Sequence, residues 1–179
     1  MNPANLVTLT RIALTPVFVL AVWRASQGAS GWPAAALFAV IAASDFLDGR
    51  VARRLAVASP LGRVLDHAAD IGFLLVALIT YVALGAAPWW VPASIAASFG
   101  FYVADSLRRD PDRPRLVGSR LGHLGGIANY VLVGVLVGNV SVGLGWLPSW
   151  LMTLLFLAVP VYSGASIVSR WYAARRAPY

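Results

Sequence analysis

The stretch SDFLDGRVARRLAVASPLGRVLDHAAD, residues 44–70, contains four of the seven acidic side chains of this protein. They are Asp45, Asp48, Asp66 and Asp70. On helices of about 3.6 residues per turn, the first two share one face and the last two share another, because they lie three and four residues apart. Apolar sequence flanks the stretch on both sides, and carboxylates near a membrane core are costly to place there. The pattern predicts an ion or metal site shared by two helices.

The composition around this stretch is that of an integral membrane protein. The chain has 179 residues, of which 59% are hydrophobic, and its mean hydropathy is +0.74. Only 12% of residues are charged, against about 25% in soluble domains. All 14 basic residues are Arg and lie between apolar runs, which is typical of membrane topology signals and argues against a nucleic-acid groove. The absence of Cys excludes disulfides and thiolate metal sites.

Six apolar segments approach the roughly 20 residues that a helix needs to span a bilayer. The segments are residues 6–23, 32–52, 61–83, 89–107, 120–138 and 148–170. Short linkers separate them, and several of these linkers contain Gly or Pro, which end helices. We therefore predict an all-α integral membrane protein with six transmembrane helices, in a single domain comprising residues 1–179.

The distribution of Arg predicts the orientation of these helices. The first, third and fifth connections contain only Arg24, whereas the other connections and the C-terminus are rich in Arg. By the positive-inside rule, both termini are expected in the cytoplasm. Six Trp residues fall on the opposite side, as an interfacial belt would: Trp23, Trp32, Trp89, Trp90, Trp146 and Trp150. The acidic stretch is then expected at the cytoplasmic ends of helices 2 and 3.

The chemistry of the stretch favours a site for hard cations and a phosphate-containing substrate. A ligand set of carboxylates alone suits Mg²⁺, Mn²⁺ or Ca²⁺, and four carboxylates favour two ions or one ion and a spare base. Gly49, Ala52 and Gly62 leave room for a ligand near the main chain, and Arg53 can grip a phosphate. Asp70 could then take a proton from an attacking hydroxyl. The alternative is that the acids form interfacial ion pairs with neighbouring Arg residues, which four acids on two helix faces disfavour.

The spacing of these residues resembles the signature of the CDP-alcohol phosphotransferase family. It reads Asp45-x2-Asp48-Gly49-x2-Ala52-Arg53-x8-Gly62-x3-Asp66-x3-Asp70. The beginning of the chain, Asn5-x2-Thr8-x2-Arg11 followed by Pro16, also resembles bacterial phosphatidylglycerophosphate synthases. Six spans with cytoplasmic termini agree with the family as well, so the resemblance covers most of the chain.

The resemblance implies transfer of a phosphatidyl group from CDP-diacylglycerol to a small polar alcohol, with release of CMP. It implies that Asp45, Asp48 and Asp66 ligate two Mg²⁺ or Mn²⁺ ions and that Asp70 is both a ligand and the general base. Four further residues would form the pocket for the CDP moiety: Gly49, Ala52, Arg53 and Gly62. The resemblance also implies that the protein is a homodimer in contact with membrane lipids. It implies a location in the inner membrane of a bacterium, with the active site facing the cytoplasm.

The acceptor alcohol stays open at this point. Glycerol 3-phosphate is the leading candidate, followed by inositol phosphate, and then by the acceptors that give cardiolipin or serine lipids. His67 and Ile71 depart from the usual pattern of glycerophosphate synthases. Six residues are candidates for contacts with the acceptor or with phosphate: Arg120, Arg170, His123, Asn5, Thr8 and Arg11. The last three have an equally good explanation as part of the beginning of the first helix.

Two other functions remain as alternatives. An intramembrane prenyltransferase also binds a diphosphate through aspartate-held metal ions, but the chain is short for that fold and the Gly-x2-Ala-Arg segment has no role in it. A cation transporter using the four acids predicts acids near the bilayer midplane and broken helices in paired halves. The acids are instead expected at the cytoplasmic ends of two helices, and no internal repeat is visible.

Overall fold

A computed structural model describes the main chain of residues 3–55, 60–109 and 120–176, and the side chains of residues 9–44, 67–108 and 121–172. This part of the chain forms six α-helices and contains no strand, which confirms the all-α prediction. The helices are α1 Pro3–Ser26, α2 Trp32–Leu55, α3 Pro60–Ala83, α4 Trp90–Arg109, α5 Arg120–Leu136 and α6 Ser149–Arg176.

The observed helix ends lie within six residues of the predicted ones. The largest difference is at the end of α6, which continues to Arg176 instead of ending at residue 170. Apolarity predicts where a helix leaves the membrane, and main-chain hydrogen bonding can continue beyond that point. Gly28 and Gly85 have φ angles of +91° and +71° in the turns after α1 and α3. Glycine adopts this conformation without a steric penalty, so both turns form where the sequence predicted linkers.

Three of the described helical segments are long and apolar enough to cross a membrane. They are Leu9–Ser26, Leu121–Ser141 and Ser149–Tyr172. Two shorter apolar segments, Trp32–Ser44 and His67–Ala83, lie in α2 and α3. The described side chains end at Ser44 in α2 and begin again at His67 in α3, which sets these bounds.

The core contains apolar side chains of all six helices, and a cluster of aromatic rings within it lies between α1, α2, α3 and α5. The Phe18 and Phe73 rings meet edge to face, with centroids 5.4 Å apart. Tyr130 stacks on Phe73 at 6.2 Å, and Phe38 lies beside both Phe73 and Tyr130. α4 packs mainly on α6, which also contacts α5. The aromatic contacts fix α1 against α3, and both helices carry candidate site residues.

The six Trp residues of the predicted belt lie together at one end of the bundle. Each is exposed: Trp23, Trp32, Trp89, Trp90, Trp146 and Trp150. Tyr81, at the same end of α3, is about 16 Å along the helix axis from Asp70, given a rise of about 1.5 Å per residue. The Trp residues and Asp70 are therefore separated along the bundle, as the sequence predicted.

α5 continues into a π-helical turn, Val137–Ser141, which we call the π-turn. Its hydrogen bonds join residues five apart instead of four, as where Val142 N–H donates to the Val137 carbonyl at 2.9 Å. Downstream, the Asn139 side chain accepts a hydrogen bond from Leu147 N–H at 3.1 Å. Apolarity predicts an end of this helix at residue 138 and does not predict the π-turn.

Tyr81 links α3 to the π-turn. Its side chain is buried, and its hydroxyl shares a hydrogen bond of 2.7 Å with Ser141 Oγ. We expect Tyr81→Phe to lower the free energy of unfolding by about 1 kcal/mol, because the half-buried hydroxyl of Ser141 loses its partner. The thermal midpoint of the detergent-purified variant measures this. Tyr172→Phe, at an exposed ring, is the matched control, and an equal shift in both variants would contradict the prediction.

Candidate active site

The acidic motif lies on two helices. Asp45 and Asp48 belong to α2, and Asp66 and Asp70 belong to α3. The main chain is helical at all four positions, so the relations of three and four residues along a helix are confirmed. α1 packs against both α2 and α3 and therefore adjoins both helices that carry the acids.

Asp70 is the member of the acidic motif whose side chain the structure describes. The remaining motif side chains lie outside the described residues, and their predicted grouping stays a prediction: Asp45, Asp48, Gly49, Ala52, Arg53, Gly62 and Asp66. The same applies to the side chains of Asn5, Thr8 and Arg120.

Asp70 forms an ion pair with Arg11. The Arg11 guanidinium donates from Nη1 to Asp70 Oδ1, and the contact joins α1 to α3. The Arg11 side chain has no exposed surface, whereas 19% of the Asp70 side chain is exposed. A buried guanidinium requires a charged or polar partner, because removing such an ion from water costs on the order of several kcal/mol. The carboxylate of Asp70 meets that requirement.

The surrounding sequence explains why the pair lies at this level. On α1, Arg11 is followed at helical spacing by the buried Phe18 and Val22, so all three lie on the face that meets the core. On α3, Asp70 immediately precedes the buried segment that begins with Phe73 and Leu74. The pair thus lies at one end of the apolar core between α1 and α3, next to the contact between Phe18 and Phe73.

The sequence predicts Arg11 either as a phosphate contact or as part of the helix start, and it does not predict the contact with Asp70. A signal was present, because Arg11 interrupts an apolar segment, and ionisable residues in such segments usually pair with one another. The partner could not be identified, since Asp70 is 59 residues away along the chain.

Two other candidates are placed at the same end of the bundle. Arg170 lies over the ring of Tyr102, with its guanidinium carbon 4.2 Å from the ring centroid, which is a cation–π contact between α6 and α4. His123 is exposed in the first turns of α5. Contacts of Arg170 and His123 with an acceptor stay predictions.

The donor chemistry of the motif fits a hard divalent cation. Its four acids offer carboxylate oxygens and no nitrogen or sulfur, which is the ligand type that Mg²⁺ and Mn²⁺ prefer. Asp70 is partly exposed, so its carboxylate is accessible from outside the bundle. Within the described side chains, which include Asp70 and none of the other three acids, no group of three or more His, Cys, Asp or Glu occurs.

Comparison with known proteins identifies a family and several bacterial relatives. The family model for CDP-alcohol phosphatidyltransferase matches residues 1–161. A CDP-diacylglycerol–glycerol-3-phosphate 3-phosphatidyltransferase of Pseudomonas fluorescens is 42% identical over 82 residues, which are 46% of this chain and 42% of that protein. A probable phosphatidylglycerophosphate synthase of Mycobacterium tuberculosis is 38% identical over 96 residues, 52% of this chain and 46% of that protein.

A third relative is named for a different product. A cardiolipin synthase (CMP-forming) of Streptomyces coelicolor is 34% identical over 96 residues, 52% of this chain and 44% of that protein. The matched part of this chain spans less than half the length of each of these three relatives.

Proposed function

Because the chain belongs to the CDP-alcohol phosphatidyltransferase family, we propose that it transfers a phosphatidyl group from CDP-diacylglycerol to an alcohol and releases CMP. The observation that carries the proposal is the acidic motif of residues 45–70. It lies inside the matched segment, on two helices that both adjoin α1. The partly exposed carboxylate of Asp70 supports a role in the chemistry rather than in packing alone.

Glycerol 3-phosphate is the acceptor that we propose first, which would make phosphatidylglycerophosphate the product. Two relatives with names for this reaction support that choice. Phosphatidylglycerol is the second candidate, because a further relative is named a CMP-forming cardiolipin synthase. Inositol phosphate, favoured next on the sequence alone, remains a third. Any phosphorylated acceptor needs cationic partners, and we propose Arg120, Arg170 and His123 for that role.

In the proposed reaction, Asp70 accepts the proton of the acceptor hydroxyl as the hydroxyl oxygen attacks the phosphorus of the phosphatidyl group. The bond between that phosphorus and the oxygen of the CMP phosphate breaks, and CMP leaves with the bonding electrons. Gly49, Ala52, Arg53 and Gly62 bind the CDP moiety and hold its diphosphate in line with the attack.

Asp45, Asp48 and Asp66, together with Asp70, would hold Mg²⁺ or Mn²⁺, with two ions proposed. When bound, these ions supply positive charge that stabilises the diphosphate and the leaving group. Asn5 and Thr8 are proposed contacts of the donor phosphate near the beginning of α1.

We also propose that the chain crosses a bacterial inner membrane six times, as a homodimer with cytoplasmic termini. The exposed Trp residues at one end of the bundle, and the Arg-rich connections toward the other, support this orientation. The proposed site would then receive a soluble acceptor from the cytoplasm and a lipid donor from the adjoining leaflet.

We expect the detergent-purified protein to release CMP from CDP-diacylglycerol with glycerol 3-phosphate, and to lose this activity in EDTA. The reason is that carboxylates alone cannot neutralise the diphosphate.

The measurement is the amount of CMP formed when one acceptor at a time is added: glycerol 3-phosphate, inositol phosphate, inositol, serine or phosphatidylglycerol. After treatment with EDTA, Mg²⁺ or Mn²⁺ is added back to test whether the activity returns. Absence of CMP with every acceptor would refute the transferase. Cation uptake into vesicles containing the protein would then favour the transporter.

A further inference from the structure

Ser163, in the middle of α6, has a hydroxyl group that forms no hydrogen bond with any described residue, although only 3% of the residue is exposed. Other helical Ser and Thr side chains of the bundle donate to a carbonyl one turn earlier in their own helix, as Thr80, Ser94 and Ser106 do. A buried hydroxyl that lacks a partner is costly, and such groups in native proteins usually have a role or meet water. Ser163 is therefore a candidate for contact with a ligand.

Asn129, on the neighbouring helix α5, is a second buried polar residue at this level of the bundle. Its Oδ1 accepts a hydrogen bond from the hydroxyl of Tyr162, the residue that precedes Ser163 in α6. The Tyr162 ring lies against α5, since a Cβ at Gly125 would be 3.3 Å from it. With Oδ1 engaged, the group of Asn129 that is offered to a ligand is its NH₂, which is a donor. Tyr162 thus holds the Asn129 amide in one orientation.

Two contacts show that α3 and α5 run in the same direction and define their register. Tyr130 stacks on Phe73 with ring centroids 6.2 Å apart, and further along both helices Tyr81 bonds to the π-turn. Asp70 precedes Phe73 by three residues, and Asn129 precedes Tyr130 by one. At a rise of about 1.5 Å per residue, the main-chain positions of Asp70 and Asn129 differ by about 3 Å along the bundle. Asn129 therefore lies near the level of the acidic motif.

A hydroxyl and an amide NH₂ group together fit a neutral hydroxyl of a ligand. Ser163 can donate or accept and Asn129 donates, so the two match a group that also donates and accepts. A phosphate is better matched by cationic donors such as Arg, and a protonated amine offers only donors, which would face the donor of Asn129. The acceptors that we propose all have a second hydroxyl on the carbon next to the reacting one.

We propose that Ser163 and Asn129, at the level of the acidic motif, bind the second hydroxyl of the acceptor and thereby select polyols over alcohols with a single hydroxyl. Tyr162 is a positioning residue in this arrangement, because it orients the Asn129 amide without touching the acceptor. The inference rests on the proposed function, since it concerns the acceptor of that reaction.

The test compares glycerol 3-phosphate with 3-hydroxypropyl phosphate, which has the same chain and phosphate but lacks the middle hydroxyl. The kcat/KM for each acceptor is measured by CMP release in wild type, Ser163→Ala and Asn129→Ala. Ser106→Ala is the matched control, because Ser106 is also 3% exposed and its hydroxyl donates to the Tyr102 carbonyl of its own helix. If phosphatidylglycerol is the acceptor, the compared pair is phosphatidylglycerol and phosphatidylpropane-1,3-diol.

Wild type is expected to prefer glycerol 3-phosphate by about 100-fold, because the analogue leaves the polar groups of the site without a partner. In Ser163→Ala the preference should fall to about ten-fold, through a loss with glycerol 3-phosphate alone. The thermal midpoint of this variant without acceptor should not fall, because the removed hydroxyl has no partner in the described part of the bundle. Asn129→Ala should lower both the preference and the midpoint, since the Tyr162 hydroxyl loses its acceptor. Ser106→Ala should keep the wild-type preference.

A wild-type preference in Ser163→Ala would overturn the proposal, and so would an equal loss with both acceptors, which would indicate a packing role. Equal kcat/KM values of wild type for the two acceptors would also overturn it, while leaving the transferase intact.

If wild type releases no CMP with any acceptor, the proposed function fails, and binding decides the inference. A bound ligand raises the thermal midpoint of the folded protein. Glycerol 3-phosphate should then raise the midpoint of wild type more than 3-hydroxypropyl phosphate does, and this difference should shrink in Ser163→Ala. Equal shifts by the two compounds in wild type would count against the site.

Discussion

Asp70→Asn is expected to lower the rate of CMP release by about a thousand-fold, within the range that a positioned general base contributes. Asparagine has the same shape, and its Oδ1 can still accept the hydrogen bond from Arg11 Nη1. It cannot take a proton from the acceptor hydroxyl, however, and it is a much poorer ligand for Mg²⁺. The measurement is the initial rate of CMP formation at saturating CDP-diacylglycerol and glycerol 3-phosphate.

The matched control is Asp105→Asn, which makes the same chemical change on α4, outside the acidic motif. We expect its activity to lie within about two-fold of wild type, because Asp105 lies outside the acidic motif to which we assign the chemistry. Thermal midpoints of both variants show whether each is folded, because Asp70→Asn removes the charged partner of a buried Arg. A folded Asp70→Asn protein with more than a tenth of wild-type activity would exclude Asp70 as the base.

Gly31→Ala is expected to cause the largest loss of stability among single-methyl additions at the described glycines. A Cβ at Gly31 would overlap the carbonyl group of Ser141 and lie 2.7 Å from Val142 N. Both neighbours are main-chain atoms at the end of the π-turn, so no side-chain rotation can relieve the overlap. α2 and the π-turn would have to move apart, at a cost of about 3 kcal/mol, the upper range for overpacking. Thermal or chemical unfolding in detergent measures the change.

Gly100→Ala is the matched control within a helix. A Cβ there would meet no atom within 4 Å, and Gly100 lies inside α4. We expect it to be neutral or to stabilise by up to about 1 kcal/mol, because Ala loses less backbone freedom than Gly in a helix. Equal midpoints for Gly31→Ala and Gly100→Ala would show that the start of α2 and the π-turn are not in close contact.

Local patterns were sufficient to predict the helices and their order. The apolar segments predicted each helix because a helix satisfies its own main-chain hydrogen bonds, and apolar side chains need no partner to enter a bilayer. Gly28 and Gly85 marked turns because they adopt a positive φ. The motif spacing predicted that Asp45 and Asp48 share a face of one helix and that Asp66 and Asp70 share a face of the next. Residues three or four positions apart lie on the same face of a helix.

The contacts between helices could not be predicted in this way. Asp70 reaches Arg11 across 59 residues, and Tyr81 reaches Ser141 across 60. Each contact depends on how two helices are rotated and shifted against one another, and that arrangement is set by how all the side chains of the core pack together. Gly31 shows the same dependence, because its lack of a side chain matters only where α2 meets the π-turn. The sequence thus identifies the acids that we propose for the chemistry. Packing brings Arg11 to one of them, because packing alone sets the distance between groups on different helices.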